Sequence, residues 1–405
     1  MRDNLRTTMT VSFLLRRSSL LSAAVLALGV TMARAEPSTY AEWAATHFTA
    51  AELAVEAISG GAADPSGCGV TNLLRYAMGL PARGVTTVPV RAQFRGDGGS
   101  TSAALEFERS ASATDVHYVV QGSADLSGWQ DLSIWRPGSP TTVQSADTLP
   151  LAGSRCRFLR LRVATGAAPL RVLVPAYFYP SYLPESNWWI PMTAAAASVP
   201  AGTIYAIANL NNGPDSGNDA DRISYREAID AFRAAGGRVL GYVSTERGAR
   251  DIEVVTADID LWYARFGVDG IFLDEQATTA EMVDYYAALQ AHIKAKGGEA
   301  LVVANPGTRT IEAYMDVNDV TCVFENTGPE HFPDWTPAAW AANHPASKFY
   351  VLPYSCTASQ MRTFVSRAAD NNVGWIYVTD DSGANPWDTL PGYFAELVTA
   401  ARAGR

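Results

Sequence analysis

The sequence contains few of the residues that carry metal, thiol or imidazole chemistry. Its 405 residues include four cysteines and five histidines. The polar residues at the ends of its apolar segments, described below, include no histidine, cysteine or lysine. Such a set provides no metal triad, Schiff-base lysine or serine–histidine pair, so we predict neither a metal nor a cofactor.

Long apolar runs are also lacking. Beyond the N-terminus, no stretch approaches the roughly 18 apolar residues of a membrane-spanning helix. In the first 35 residues, Arg16-Arg17 precedes an apolar run over residues 20–32 that ends in small residues, the pattern of an export signal cleaved before Glu36. We expect a secreted, periplasmic or cell-surface protein, with a twin-arginine route left open although the serines after the arginines match it poorly.

Positive charge is scarce. The chain has 31 basic and 41 acidic residues, and loss of the five arginines and one aspartate of the signal leaves 26 and 40, a net charge of −14. This argues against nucleic acid and anionic membranes as partners. A neutral or cationic substrate, such as a sugar or amino sugar, is compatible, although many exported proteins are acidic simply to stay soluble. The sequence does not indicate the oligomeric state.

About 370 mature residues exceed what one hydrophobic core usually serves, so we expect two domains, 36–168 and 171–405. A disulfide between Cys68 and Cys156 would fit the first domain. We do not expect one between Cys322 and Cys356, because they flank neighbouring parallel strands more than about 10 Å apart.

The first domain is predicted to be helical over residues 39–80 and then antiparallel β, since residues 116–120 and 159–163 alternate apolar and polar. It resembles a small β-rich module of secreted bacterial proteins in which a calcium-type loop like DPDGDG precedes NLLEYALG. Here the stretch is ADPSGCGVTNLLRYAMGL, and Ser66 and Cys68 replace two oxygen ligands. Calcium binding is therefore in doubt, and we favour spacing or attachment over carbohydrate binding as its role.

The second domain alternates apolar segments of strand length with amphipathic helices. Ser224–Glu227 matches a capping box for a helix ending at Gly236-Gly237, and another helix is predicted over 279–296. Eight units of strand and helix within residues 171–405 predict a closed (β/α)8 TIM barrel. The competing fold, a doubly wound sheet, would need a glycine-rich phosphate turn, which is missing after the first strand. The eight segments are VLVPAYFYP, TIYAIANL, RVLGYVS, GIFLDE, ALVVANPG, TCVFEN, KFYVLPYS and GWIYVTD.

In such a barrel the active site forms at the C-terminal ends of the strands. Polar and aromatic residues fall there, and we predict that those outside the catalytic group bind substrate. They are Tyr177, Tyr179, Asn209, Asn211, Tyr242, Thr245, Asn305, Tyr354, Thr379, Asp380 and Trp387, with Asp274, Glu275 and Glu325 as the catalytic candidates.

The residues at the strand ends favour a reaction catalysed by two carboxylates, and glycoside hydrolysis is the commonest reaction of that kind. Asp274 and Glu325 end the fourth and sixth strands, so they can face each other across the pocket. The alternatives are that Asp274-Glu275 caps a helix and that Glu325 forms a salt bridge at the rim. Asp381 is better interpreted as a loop former or sugar acceptor. Trp188, Trp189 and Trp387 suit sugar stacking or loop packing.

These strand ends resemble the spherulin-4-like family, glycoside hydrolase family 135. The resemblance implies a (β/α)8 barrel acting as an endo-α-1,4-galactosaminidase, with an acidic cluster at Asp274, Glu275 and Glu325. The residues after Thr245, together with Leu210 and Asp215, depart from the family pattern, which puts the exact sugar in doubt. The matching blocks are VPAYFYP, NLNNGPD, GYVSTERGAR, VDGIFLDE, ANPGT, VFEN and YVTDD followed by Trp387 and Leu390-Pro391.

Our hypothesis is retaining hydrolysis, with Asp274 as nucleophile, Glu325 as acid and base, and Glu275 orienting the substrate. An inverting reaction stays open, as does the choice between Asp274 and Glu275. The alternative function is a non-catalytic barrel that binds polysaccharide or serves as a matrix or coat protein. A metal-dependent deacetylase is disfavoured because histidine ligands are missing at the strand ends.

Overall fold

A computed structural model describes residues 38–97, 100–151 and 157–404. The expected export signal lies outside the described residues. Cys156 does too, so its disulfide with Cys68 stays a prediction. Among the described cysteines, Cys322 and Cys356 are buried and unpaired, as expected.

The N-terminal part consists of four short helices followed by two antiparallel three-stranded sheets. The predicted antiparallel strands are confirmed: the second strand lies between the first and fifth in one sheet, and the third lies between the fourth and sixth in the other. The helices are α1 (Tyr40–His47), α2 (Ala50–Leu53), α3 (Glu56–Ser59) and α4 (Asn72–Ala77). The strands are β1 (Val90–Asp97), β2 (Ser100–Glu108), β3 (Val116–Ser123), β4 (Gln130–Trp135), β5 (Thr142–Pro150) and β6 (Phe158–Thr165).

The expected helical region over residues 39–80 is interrupted, and its threonines show why. Thr39 and Thr49 each form a capping box with the glutamate three residues later, at the starts of α1 and α2. Thr71 caps α4 through the backbone N–H of Leu74. Each threonine hydroxyl accepts a hydrogen bond from a backbone N–H in the first turn of the helix that follows it. The threonines therefore favour the start of a new helix at each of these points over the extension of a single helix.

In the calcium-type loop, an arginine stands where such loops carry a glutamate. If Asp64 is counted as the first position, Gly69 is the sixth and Arg75 is the twelfth. In calcium loops the twelfth position is a glutamate that binds the ion through both carboxylate oxygens. The Asp64 carboxylate accepts a hydrogen bond from the Gly69 N–H at 2.6 Å. Arg75 is fully buried. Its guanidinium donates to the carbonyl oxygens of Val70, Pro81 and Gly84 and to the sulfur of Cys68. No group of metal-ligating side chains is found anywhere in the described ranges.

We predict that Arg75, not calcium, holds this loop. Arg75→Met should lower the free energy of unfolding by about 2 to 4 kcal/mol, because buried carbonyl oxygens lose their donors. Calcium chloride should leave the unfolding temperature of the wild-type protein unchanged. Arg91→Met, at an exposed arginine on β1, is the control and should change little. A calcium-dependent rise in unfolding temperature would contradict this assignment.

The C-terminal part is a closed barrel of eight parallel strands, which confirms all eight predicted segments. Each strand pairs with the next along the chain, and the last pairs with the first. The strands are β7 (Arg171–Ala176), β8 (Ile204–Ala208), β9 (Arg238–Ser244), β10 (Gly270–Asp274), β11 (Leu301–Ala304), β12 (Val320–Thr327), β13 (Phe349–Tyr354) and β14 (Trp375–Ile376). The helices are α5 (Trp189–Ala197), α6 (Asp219–Ala234), α7 (Ile252–Phe266), α8 (Val283–Lys294), α9 (Gly328–His331), α10 (Ala358–Asp370) and α11 (Phe394–Ala403).

Each larger helix packs one apolar stripe against the barrel. In α8 the buried residues are Tyr286, Leu289 and Ile293, spaced so that they share one face of the helix. This confirms the predicted helix, although a 3₁₀ turn forms its first residues. None of the helices among the described residues is long and apolar enough to cross a bilayer.

The predicted start of α6 at Ser224 is wrong. The helix begins at Asp219, and the side chain of Asn218 accepts a hydrogen bond from the Ala220 N–H at 3.0 Å. Ser224 therefore lies inside the helix and does not cap its start. Asn218 provides the cap instead.

The N-terminal sheets contact the barrel at the end where its strands begin. Arg109 donates to the carbonyl oxygen of Ala342 at 2.8 Å, and Arg136 donates to that of Val373 at 3.2 Å. Ala342 and Val373 precede β13 and β14. These contacts therefore lie at the opposite end of the barrel from Asp274 and Glu325.

Candidate active site

Three neighbouring strands bring Asp274, Asn305 and Glu325 together. Asp274 ends β10, Asn305 follows β11 and Glu325 lies on β12. The side-chain amide nitrogen of Asn305 donates to Asp274 Oδ1 at 3.0 Å and to Glu325 Oε2 at 2.7 Å. Because one nitrogen reaches both oxygens, these two oxygens are at most about 6 Å apart. The predicted pairing of Asp274 with Glu325 is therefore present in the structure.

The two carboxyl groups differ in their hydrogen bonds. Asp274 accepts a second hydrogen bond, from the Tyr242 hydroxyl at 2.8 Å. Burial raises the pKa of Asp274 and the charge of Glu275 adds to the rise, whereas hydrogen bonds from Tyr242, the Glu275 backbone and Asn305 oppose it. Burial also raises the pKa of Glu325, opposed by the Asn305 amide and increased by the charge of Asp274. Both groups therefore keep a proton to higher pH than ordinary carboxyls do.

A β-bulge in β12 lets Glu325 face the interior. In the pairing with β13, Cys322 lies opposite Tyr350 and Phe324 opposite Val351, so Val323 has no partner. Strict alternation after the inward-facing Cys322 would turn Glu325 outward. With the extra residue, Val323 and Phe324 both pack outside the barrel and Glu325 points inward. Bulges commonly re-aim side chains beside active sites in this way.

Glu275 occupies a different place from Asp274. Its backbone is left-handed, with φ of 53°, and its side chain is exposed at the mouth of the barrel. The Ser244 hydroxyl donates to its carboxylate. The strained turn is held by hydrogen bonds to the Glu275 carbonyl from the Arg247 N–H and the Thr245 hydroxyl. The structure thus places Asp274, and not Glu275, beside Glu325.

Three residues predicted to bind substrate have their polar groups engaged inside the protein. Thr245 is fully buried, and its hydroxyl contacts the Asp274 carbonyl and the Tyr286 hydroxyl. Thr379 is also fully buried and accepts from the Asp381 N–H. Asn305 bridges the carboxyl groups. In this structure these three side chains support the rim of the barrel, and their contact with a substrate stays a prediction.

The other residues predicted to bind substrate lie around the mouth of the barrel. Tyr177 packs edge-on against Tyr242, with ring centroids 5.5 Å apart; burial, followed by the Asp274 charge, raises the pKa of its phenol. Tyr354 packs edge-on against the largely buried Trp387 at 5.7 Å. Tyr179, Asn211 and Asp380 are exposed, whereas Asn209 is half-buried and accepts from the Gly213 N–H.

Of the two neighbouring tryptophans, Trp189 does not offer a stacking face. It is 2% exposed, and its indole N–H donates to the Phe178 carbonyl at 3.2 Å. Its ring packs edge-on against Tyr225 and Phe232. It belongs to the core between barrel and helices, while Trp188 is half-buried beside it.

Sequence reasoning missed three residues of the site. Ser244 is the last residue of the predicted segment RVLGYVS but was not among the predicted site residues, and Val323 was missed because a bulge leaves no mark in a run of apolar residues. Gly307 donates its N–H to the side-chain oxygen of Asn305 at 2.9 Å from a backbone φ of 62°. The Asn-Pro-Gly turn could have indicated Gly307, since glycine favours that conformation.

We predict that loss of the Tyr242 hydroxyl raises the pKa of Asp274. In Tyr242→Phe the carboxylate loses a donor that favours its charged form, so the pH at which Asp274 is half ionised should rise. Carbon-13 NMR titration of labelled aspartate carboxyls measures it. Tyr285→Phe, which removes a hydroxyl bonded to the Arg250 carbonyl, is the control. An unchanged or lower pKa in Tyr242→Phe would show that this hydrogen bond does not stabilise the anion.

The chain is similar to one protein family and to a named member of it. The model of the Spherulation-specific family 4 matches residues 171–401. Spherulin-4 of Physarum polycephalum is 34% identical over 253 residues, which cover 59% of this chain and 72% of that protein.

Two of the similar solved structures are a complex with a sugar and a mutant hydrolase. The structure of Aspergillus clavatus Sph3 in complex with GalNAc is 23% identical, covers 58% of this chain and 98% of its own, and has a TM-score of 0.49. A mutant of the Thermobaculum terrenum O-GlcNAc hydrolase is 11% identical, covers 57% and 59% of the two chains, and has a TM-score of 0.37.

Proposed function

The chain belongs to the Spherulation-specific family 4, and on that premise we propose that it is a secreted glycoside hydrolase. Its substrate is a polysaccharide that contains α-1,4-linked galactosamine or N-acetylgalactosamine. The observation that carries the proposal is the pair of partly buried carboxyl groups, Asp274 and Glu325, joined by the amide of Asn305. Export is supported by the pattern of the first 35 residues.

The short distance between the carboxyl groups favours a retaining reaction. Retaining glycosidases separate their two carboxyls by about 5 to 5.5 Å, and inverting ones by about 6.5 to 9.5 Å to admit a water molecule. The shared Asn305 nitrogen limits the nearest oxygens of this pair to about 6 Å. Facing oxygens this close suit direct attack by one carboxylate on a sugar held between the two groups.

The hydrogen bonds support a division of the two roles. Asp274 accepts from both Tyr242 and Asn305, so its negative charge is the better stabilised and it acts as the nucleophile. Glu325 accepts from Asn305 alone among the described side chains, and burial, followed by the charge of Asp274, raises its pKa so that it holds its proton. It is therefore the general acid.

The reaction then proceeds in two balanced steps. In the first, Asp274 forms a bond to the anomeric carbon while the Glu325 proton passes to the departing glycosidic oxygen. In the second, water attacks that carbon, Glu325 takes up a proton from the water, and the bond to Asp274 breaks. Both carboxyl groups return to their starting states.

The other rim residues bind and orient the chain of sugars. Glu275 is exposed at the mouth of the barrel, where its carboxylate suits a sugar hydroxyl or an amino-sugar ammonium group. Tyr354 is half-buried at the end of β13 and packs edge-on against Trp387, and an aromatic ring at a strand end suits contact with a sugar ring.

We predict that removal of either catalytic carboxyl abolishes hydrolysis. Asp274→Asn and Glu325→Gln should each lower the release of reducing ends from an α-1,4-linked galactosamine polymer by on the order of 10³-fold or more. Glu330→Gln and Asp316→Asn change exposed acids and serve as matched controls, with little effect expected.

Two results would contradict the proposal. A near wild-type rate in either catalytic variant would remove that residue from the mechanism. Binding of amino-sugar polymers by the wild-type protein without any release of reducing ends would show a non-catalytic barrel, the matrix or coat protein that the sequence also allows.

A further inference from the structure

The side chain of Asn305 has no free hydrogen-bond donor to offer a substrate. An asparagine amide carries two N–H groups and one carbonyl oxygen. Its nitrogen donates to Asp274 and to Glu325, and its oxygen accepts from the Gly307 N–H. The residue is 6% exposed. Its contacts therefore lie within the protein, and they join the two carboxyl groups.

We propose that Asn305 is a positioning residue. By donating to both carboxyl groups, it stabilises their negative charge and fixes the distance between Asp274 and Glu325. The inference rests on the proposed function, since it concerns the same two carboxyl groups. It replaces the expected role of Asn305 as a substrate ligand.

The backbone around Asn305 fixes the amide opposite Asp274. The Asn305 N–H donates to the Leu273 carbonyl at 2.9 Å, and the Asn305 backbone carbonyl accepts from the Gln276 N–H at 2.8 Å. Asn305 is thus bonded to the chain on both sides of Asp274. The first bond continues the β10–β11 ladder and the second closes the turn after Glu275, so the backbone holds Asn305 opposite Asp274.

The orientation of the amide is fixed as well. The Gly307 N–H points at the side-chain oxygen of Asn305, so the nitrogen end must face the carboxyl groups. Gly307 adopts a left-handed φ of 62° to do so. A β-carbon added there would lie 4.0 Å from Glu325 Oε2, an ordinary contact, so the backbone conformation and not lack of space favours glycine here.

A second pair of amides ties the same strands together beneath the site. Gln276 and Asn318 exchange two hydrogen bonds of 3.1 Å, and Asn318 also donates to the Thr321 hydroxyl at 3.0 Å. All three side chains are buried. This network connects the end of β10 to the start of β12, so the Asn305 bridge spans two strands that are already held in place.

The bridge has an electrostatic effect that a substrate ligand would lack. Two carboxyl groups this close disfavour each other's ionisation, and an amide that donates to both lowers the pKa of each. Without the amide, both pKa values should rise. The nucleophile would then ionise, and the acid lose its proton, at higher pH than in the wild-type enzyme.

We predict the kinetics of two substitutions at Asn305. Asn305→Ala removes the bridge, and Asn305→Asp keeps the shape but places a third carboxyl between the other two. In Asn305→Ala, kcat should fall on the order of 100-fold while KM stays within about twofold, because geometry is lost and substrate contacts are kept. Both limbs of the pH–rate profile should move to higher pH. Asn305→Asp should lose more activity at neutral pH.

The control is Asn326→Ala, which removes an amide one residue after Glu325 whose oxygen accepts from the Thr327 N–H; its profile should match the wild type. Thermal unfolding of each variant shows whether the fold is kept. A raised KM with unchanged kcat in Asn305→Ala would make Asn305 a substrate ligand and overturn the proposal. Unchanged pH limbs, or a near wild-type rate in the isosteric Asn305→Asp, would also overturn it.

The proposal can fail separately from the proposed function. If the wild-type protein hydrolyses no amino-sugar polymer, the function fails, and carbon-13 NMR titration of Asp274 and Glu325 then tests the bridge without turnover. A higher pKa for both carboxyls in Asn305→Ala than in the wild type supports the bridge. Unchanged pKa values overturn it.

Discussion

The partial burial of two carboxyl groups whose facing oxygens lie at most about 6 Å apart is the constraint on which the rest of the candidate site depends. Buried charges are costly unless donors compensate them. Here the compensation is specific: Tyr242 donates to Asp274, and Asn305 donates to both carboxyls. The difference in donor number between Asp274 and Glu325 also gives the two groups different proton affinities. One arrangement therefore serves both the stability of the site and its proposed chemistry.

The barrel supplies this geometry through local departures from regular structure. The unpaired Val323 allows Cys322 and Glu325, three residues apart, to face the same interior. A left-handed backbone at Glu275 moves that carboxylate to the mouth, away from Asp274. The N-terminal sheets contact the other end of the barrel, near Val373. They therefore take no part in the site, which is consistent with a spacing or attachment role.

Much of the fold could be predicted because burial on both faces leaves a clear pattern, and the eight apolar segments became eight strands. The positions of Asp274 and Glu325 at strand ends followed from the same pattern. The bulge at Val323 could not be predicted, since an extra apolar residue in an apolar run has no signature. The bridge at Asn305 depends on which way an amide points, and its neighbour Gly307 decides that only in three dimensions.

The stereochemistry of the released sugar tests the central claim most directly. Proton NMR during early hydrolysis of an α-1,4-linked amino-sugar polymer distinguishes the two anomers before they interconvert. A retaining reaction through Asp274 predicts that the α-anomer appears first, since two displacements restore the original configuration. Appearance of the β-anomer first would show a single displacement by water and contradict the assignment of Asp274 as nucleophile.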